Sequence, residues 1–190
     1  MHRFLTPLLR LLLRTALAAA AVMPALCGCS SDSEDLYAHE RAFFKYSPVV
    51  SVHQLHTAMN NPGMFCRITF STQTVSFTAP DGSTTPVQRL AAEVYGTPEY
   101  VAGFVVGTPS VPDMQMQYAP VAYDLACPAC YEDALITKSL QFAAAETLRC
   151  PRCQRTFDLA NGGLPTSGEG NRCLLRYRIS YANDCVVIVN

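Results

Sequence analysis

Two four-residue stretches constrain this chain more than any other feature: Cys127-Pro128-Ala129-Cys130 and Cys150-Pro151-Arg152-Cys153, a C-x2-C-x19-C-x2-C pattern. Two residues between cysteines let one tight turn aim both sulfurs at a common point, with backbone N–H groups supporting the thiolates. Nineteen intervening residues are enough for a hairpin that returns the second turn opposite the first. Four thiolates then close a tetrahedral cage, the donor set of structural Zn2+. The same ligands suit iron, alone or in an iron–sulfur cluster. Cys127, Cys130, Cys150 and Cys153 are therefore assigned as metal ligands, and all four histidines of the chain lie upstream of them. Two other uses of the quartet compete with this one. Disulfides suit an exported protein, but a bond closed within a CxxC pair makes a small, strained, redox-active ring. A thiol–disulfide enzyme needs its first cysteine at the start of a helix, where the dipole lowers the thiol pKa. Pro128 and Pro151 read instead as turn residues between strand-like segments.

The first 28 residues have a different character. Arg3, Arg10 and Arg14 occur there without any acid, and residues 15–26 form a short apolar run. A basic head followed by an apolar stretch too short to span a bilayer is the layout of a secretory signal. The run ends in Leu26-Cys27-Gly28-Cys29, which resembles a bacterial lipobox. That resemblance implies cleavage before Cys29 and acylation of it, hence a lipoprotein held at a membrane of the cell envelope, on the periplasmic or the surface face of an outer membrane. Residues 30–35, SSDSED, are polar and acidic and open a solvated tether. The expected organisation is a signal peptide over 1–28, a tether over 29–45 and one folded domain over 46–190. Loss of the leader removes three of the 14 Lys+Arg and none of the 15 Asp+Glu, leaving 11 against 15, a net charge of −4. Nothing there neutralises a phosphate backbone, so no nucleic-acid partner is expected. Membrane contact is expected through the lipid on Cys29, and any protein partner goes unnamed by the sequence.

Hydrophobic residues at 49% against charged residues at 15% supply a core for a single domain. The dominant period is two. Met64–Ser71 puts Cys66, Ile68 and Phe70 on one face and Phe65, Arg67 and Thr69 on the other. Residues 74–79, 101–107 and 121–126 read as further strands. Residues 87–95 read as strand or short helix, and the Pro-rich segment 108–120 as a loop. Residues 157–171 form a glycine-rich turn region. In the last hairpin Leu175, Tyr177 and Ile179 point inward, Tyr181–Asp184 is the turn, and Cys185 falls opposite Ser180. Only residues 49–60 look helical. Many short strands separated by turn signals predict an all-β fold, an antiparallel β-sandwich or barrel.

Residues 121–180 resemble a Rieske iron–sulfur domain. After the second cysteine pair, Phe157-Asp158-Leu159, Gly162, Gly163, Gly168, Leu175 and Tyr177 fall where that family has them. The resemblance implies a Rieske-like antiparallel β-sandwich with a small metal-binding ribbon subdomain, about 121–165. In the family each motif gives one Cys to one iron and one His to the other. By position Cys127 and Cys150 match the cysteines, while Cys130 and Cys153 stand where the histidines belong. Gln154-Arg155 replaces the family's Gly-Ser, and Gly168-Glu169-Gly170 lacks the proline of its cover loop. These changes remove imidazole ligands and a hydroxyl donor to sulfur, so a [2Fe–2S] cluster here is expected to have a low potential. The other outcome is a pocket that holds Zn2+, which has no redox chemistry. Zn2+ is the favoured ion and a structural or binding module the favoured role. An electron-transfer protein carrying [2Fe–2S] is the alternative.

Other candidates are weaker. His53 and His56 share a helix face but read as surface residues. Asp158 reads as a turn residue, Tyr123-Asp124 as strand pairing before the site, and Arg152 and Arg155 as offsets to thiolate charge. Cys66, Cys173 and Cys185 are left over, either as thiols or as partners in a disulfide. No catalytic serine, carboxylate pair or P-loop is visible, and no catalytic residue is assigned.

Overall fold

The computed structural model describes residues 42–89, 92–95, 102–168 and 172–190. The expected signal peptide, Cys29 and the expected tether up to residue 41 lie outside them. Among the described residues the chain forms thirteen strands and two short α-helices, an all-β architecture of one large curled sheet and one small sheet. No helix among these residues is long and apolar enough to cross a membrane.

The large sheet holds β1 (Phe43–Tyr46), β2 (Met64–Phe70), β3 (Thr74–Thr78), β4 (Thr84–Gln88), β5 (Ala92–Tyr95), β6 (Phe104–Thr108), β7 (Val121–Asp124), β12 (Arg176–Ala182) and β13 (Cys185–Val189). Their order is β4-β3-β2-β6-β7-β12-β13-β1-β5. Strand β12 is the corner. Its Arg176 and Tyr177 pair with β7, while Arg178 to Ala182 pair with β13. The two halves fold over one another there, a common way to turn a sheet into a sandwich. Phe44 on β1 meets Phe70, Phe77 and Phe104 on the facing half at ring-centroid distances of 5.8, 6.4 and 6.1 Å. Helix α1 (His53–Asn60) packs at this core through Leu55, Ala58 and Met59. The Thr108 hydroxyl pins its end by donating to the carbonyls of Ala58 and Met59.

The period-two pattern of the central strands divides two cores. Cys66, Ile68, Phe104, Val106 and Ala122 face the sandwich interior. Phe65, Val105, Val121 and Tyr123 face the opposite way, onto the small sheet. Strands β6 and β7 are buried on both faces, so their sequences are apolar up to the terminal Thr108 and Asp124 instead of alternating. Gly107 sits where β6 crosses Phe65, and any Cβ there would collide with the Phe65 ring and the Met64 carbonyl.

The small sheet runs β11-β10-β9-β8, with β8 Gln141–Ala144, β9 Thr147–Arg149, β10 Thr156–Asp158 and β11 Leu164–Ser167. Leu148, Phe157 and Leu159 form its buried side, with Leu140 and Leu174 beside them. Glu146, at the β8–β9 turn, accepts from the backbone N–H and hydroxyl of Ser110 and ties the sheet to the loop after β6.

Four expectations need correction. The strand Phe43–Tyr46 begins before residue 46: residues 43–45, assigned to the tether, form it together with Tyr46, between β13 and β5 and with Phe44 fully buried. Its inward Phe44 and Tyr46 alternate with Phe43 and Lys45, a pattern hidden by the polar run before it. Residues 157–171 are not all turn, because β10 and β11 form a hairpin there. Gly163 has φ +74° in that hairpin's turn, and a Cβ on it would stand 2.8 Å from the Leu174 side chain. The final hairpin turns on two residues, Asn183 and Asp184, both with positive φ, as a type I′ turn requires. Cys185 is therefore opposite Ala182, and Ser180 is opposite Val187. Lastly, a second helix, α2 (Pro128–Ala134), opens at the first cysteine pair.

Candidate metal centre

Strand β7 runs straight into the first cysteine pair. Cys127 is the N-cap of α2 and Pro128 its first residue, a place where proline's missing N–H costs nothing. The Cys127 N–H donates to the Lys138 carbonyl, so the segment leaves and returns at one point. Leu135 closes the helix in the left-handed conformation, with φ 52°. The second pair sits at the tip of the β9–β10 hairpin. There the Gln154 N–H donates to the Cys150 carbonyl at 3.0 Å, and the Cys150 N–H to the Arg155 carbonyl at 2.9 Å. Gln154 has φ 62°, the positive value that turns the chain back.

The two turns converge. The Sγ atoms of Cys127, Cys130, Cys150 and Cys153 all lie within 4.8 Å of one another, close enough to share one metal ion. Cys127 Sγ is 3.6 Å from Cys153 Sγ, and Cys130 Sγ is 3.7 Å from Cys150 Sγ. Among the described residues no disulfide joins any of them, nor Cys66, Cys173 or Cys185. Cys66 is buried in the sandwich core, and Cys173 and Cys185 are half-buried.

The surroundings treat the sulfurs unequally. Burial pushes the Cys127 thiol up, although the Cys130 N–H pulls it the other way. Burial and the neighbouring Cys150 also raise Cys130. At Cys153 burial again works upward, but the Arg155 N–H and the other three sulfurs outweigh it and hold the thiol below its ordinary value. Amide donors to sulfur are the support that a thiolate ligand needs. Cys127, Cys130 and Cys150 are buried, whereas Cys153 is exposed. An open cleft of about 410 Å3 reaches it, between Ala129, Cys130 and Asp133 of α2 and Arg152, Cys153 and Arg155 of the second turn.

The helix removes the sequence argument against thiol–disulfide chemistry, since Cys127 does stand at a helix start. A different argument replaces it. Cys127 is fully buried, its thiol is raised instead of lowered, and a sulfur of the other turn lies 3.6 Å away. An activated attacking thiol is low in pKa and accessible.

Asp124 was undervalued by sequence. Its carboxylate is buried and accepts from the Tyr177 hydroxyl at 2.7 Å and from the Ala126 N–H at 2.7 Å. Burial raises it to about 6. It clamps the end of β7 to β12 three residues before Cys127, and the signal for it was an acid inside an apolar run. Asp158 is a turn residue as expected, accepting from the Ala160 and Asn161 N–H groups. His53 lines a separate cavity of about 210 Å3, and neither His53 nor His56 joins a cluster of three ligand groups among the described residues. No protein-family model, no curated protein and no solved structure matches this chain.

Proposed function

We propose that this is a metal-binding module of the cell envelope, anchored by an acylated Cys29, in which one Zn2+ held by Cys127, Cys130, Cys150 and Cys153 staples the small sheet to the sandwich. The observation that carries the reading is the spacing of the four sulfurs. A tetrahedral zinc with Zn–S bonds of about 2.3 Å sets its sulfurs about 3.8 Å apart. The spacings of 3.6 and 3.7 Å, with all four sulfurs inside 4.8 Å, match that edge. A [2Fe–2S] cluster puts a second metal and two bridging sulfides between its thiolate pairs. Sulfurs on opposite irons then stand further apart than ligands of one ion, so the compact quartet favours a single ion over the cluster.

A Rieske lineage for residues 121–180 is part of the same proposal, and it rests on the Phe157-Asp158-Leu159 run and the glycines after it. In this reading the two Cys-for-His replacements changed the site's chemistry while the ribbon around it was kept. The module carries no assigned turnover, and zinc contributes folding energy and no redox step. Metal analysis of the full chain, purified without air, tests the assignment. One zinc per chain in a colourless protein is the expected result. A brown protein with visible absorption and an EPR signal on reduction contradicts it.

A further inference from the structure

A structural cage usually hides all four ligands, and this one leaves a ligand at the surface. Cys153 is exposed while its three companions are buried, and the cleft between α2 and the second turn leads to it. On the other turn, Cys127 Sγ lies 3.6 Å from Cys153 Sγ. The remaining two sulfurs repeat this arrangement, Cys130 lying 3.7 Å from Cys150. Both of these contacts cross between the turns. A bond within either CxxC pair would close a small, strained ring, whereas a crossing bond closes a long loop.

We propose, building on the metal reading, that Cys153 is the ligand modified by hydroperoxides, and that its oxidation ends in a Cys127–Cys153 disulfide that ejects the metal. The step balances with hydrogen peroxide as the oxidant. The Cys153 sulfur attacks one peroxide oxygen, the O–O bond breaks, and hydroxide leaves, giving a sulfenic acid at Cys153. The Cys127 thiolate then attacks that sulfur, the S–S bond forms, and a second hydroxide leaves. Two electrons pass from the two sulfurs to the peroxide, and two protons from solvent turn the hydroxides into water. The metal keeps its oxidation state, loses two of four ligands and departs. Cys130 and Cys150 remain, 3.7 Å apart, for a second equivalent of peroxide. At the first step the link between the two turns changes from a metal to a covalent bond between Cys127 and Cys153.

The test uses the full chain, loaded with zinc and shown to hold one ion before oxidation. Hydrogen peroxide is added, release is followed with a chromogenic chelator, and the thiols are trapped and mapped by peptide mass spectrometry. The expected result is loss of two thiols per zinc released, with Cys127–Cys153 as the first bond formed. Cys153→His keeps a competent zinc ligand while removing the exposed thiol. Loaded with one zinc, it should release the ion at least about tenfold more slowly than the unaltered chain. A first bond between Cys127 and Cys130 or between Cys150 and Cys153, or release from Cys153→His at the unaltered rate, overturns the proposal and leaves the zinc site standing. A chain that binds no zinc before peroxide is added overturns both.

Discussion

The large sheet and the small sheet are held by different physics. In the large sheet, β2, β6 and β7 bury side chains on both faces, and aromatic rings from opposite halves meet across the core. In the small sheet β9 and β10 bury one residue each, Leu148 and Phe157, while β8 and β11 are mostly exposed. Hydrophobic burial scales with apolar area removed from water, so the first region has ample means to fold and the second has little. What the small sheet has in addition is the sulfur quartet at one end and Glu146 at the other. A region that cannot build a sufficient core needs a covalent or metal staple. With a metal in the quartet as proposed, metal and peptide chain would be parts of one folding problem in the small sheet and separable in the large one.

Ligand removal should break the comparison most sharply. A structural zinc is worth roughly 10 kcal/mol or more in zinc-finger peptides, an upper guide here. Cys127→Ser or Cys150→Ser should abolish stoichiometric zinc and strip amide-exchange protection from β8–β11. Protection in β2, β6 and β7 should survive. Hydrogen exchange read by mass spectrometry decides it, and equal loss in both sheets would show that they are one cooperative unit.

Core truncations come next. Phe44→Ala should cost about 3–5 kcal/mol and Leu148→Ala about 2–5 kcal/mol. The first should lower the unfolding transition of the whole domain. The second should act on the small sheet alone in zinc-free protein and be masked when zinc is bound. Denaturant titrations with and without a chelator separate the two cases.

Asp124 supplies a smaller, pH-dependent effect at the junction. Its folded value, about 6, lies above the ordinary 3.8. The protonated form is thus favoured by folding, so its contribution is complete below the ordinary value and lost as pH rises through 6. The shift corresponds to about 3 kcal/mol over that span. Asp124→Asn should flatten the fall in urea midpoint between about pH 3.8 and about 6, and an unchanged slope would locate the titration elsewhere. Smallest of all, His53→Ala and His56→Ala should leave zinc content unaltered in metal analysis, because neither side chain shares the sulfur cluster.

Much of this was legible beforehand, for reasons that differ by element. Strand β2 was readable face by face because Cys66 and Ile68 enter one core and Phe65 the other. The quartet was readable because its spacing alone dictates convergence. Helix α2 was missed because proline after a cysteine signals a turn and a helix start equally well, and only the Tyr131 N–H to Cys127 carbonyl bond decides between them. The Asp124–Tyr177 clamp joins residues 53 positions apart. No local pattern encodes such a pairing, since it exists only once β7 lies beside β12. Cys185 lies opposite Ala182, two residues from the expected Ser180, because Asn183 and Asp184 suffice for the turn and their positive φ values are not encoded by alternation.

X-ray absorption at the metal edge of the anaerobically purified full chain tests the central claim most directly. The account predicts a zinc edge with one shell of four sulfurs at about 2.3 Å and no neighbouring metal. A second metal within the site, or nitrogen and oxygen in place of sulfur, would contradict it.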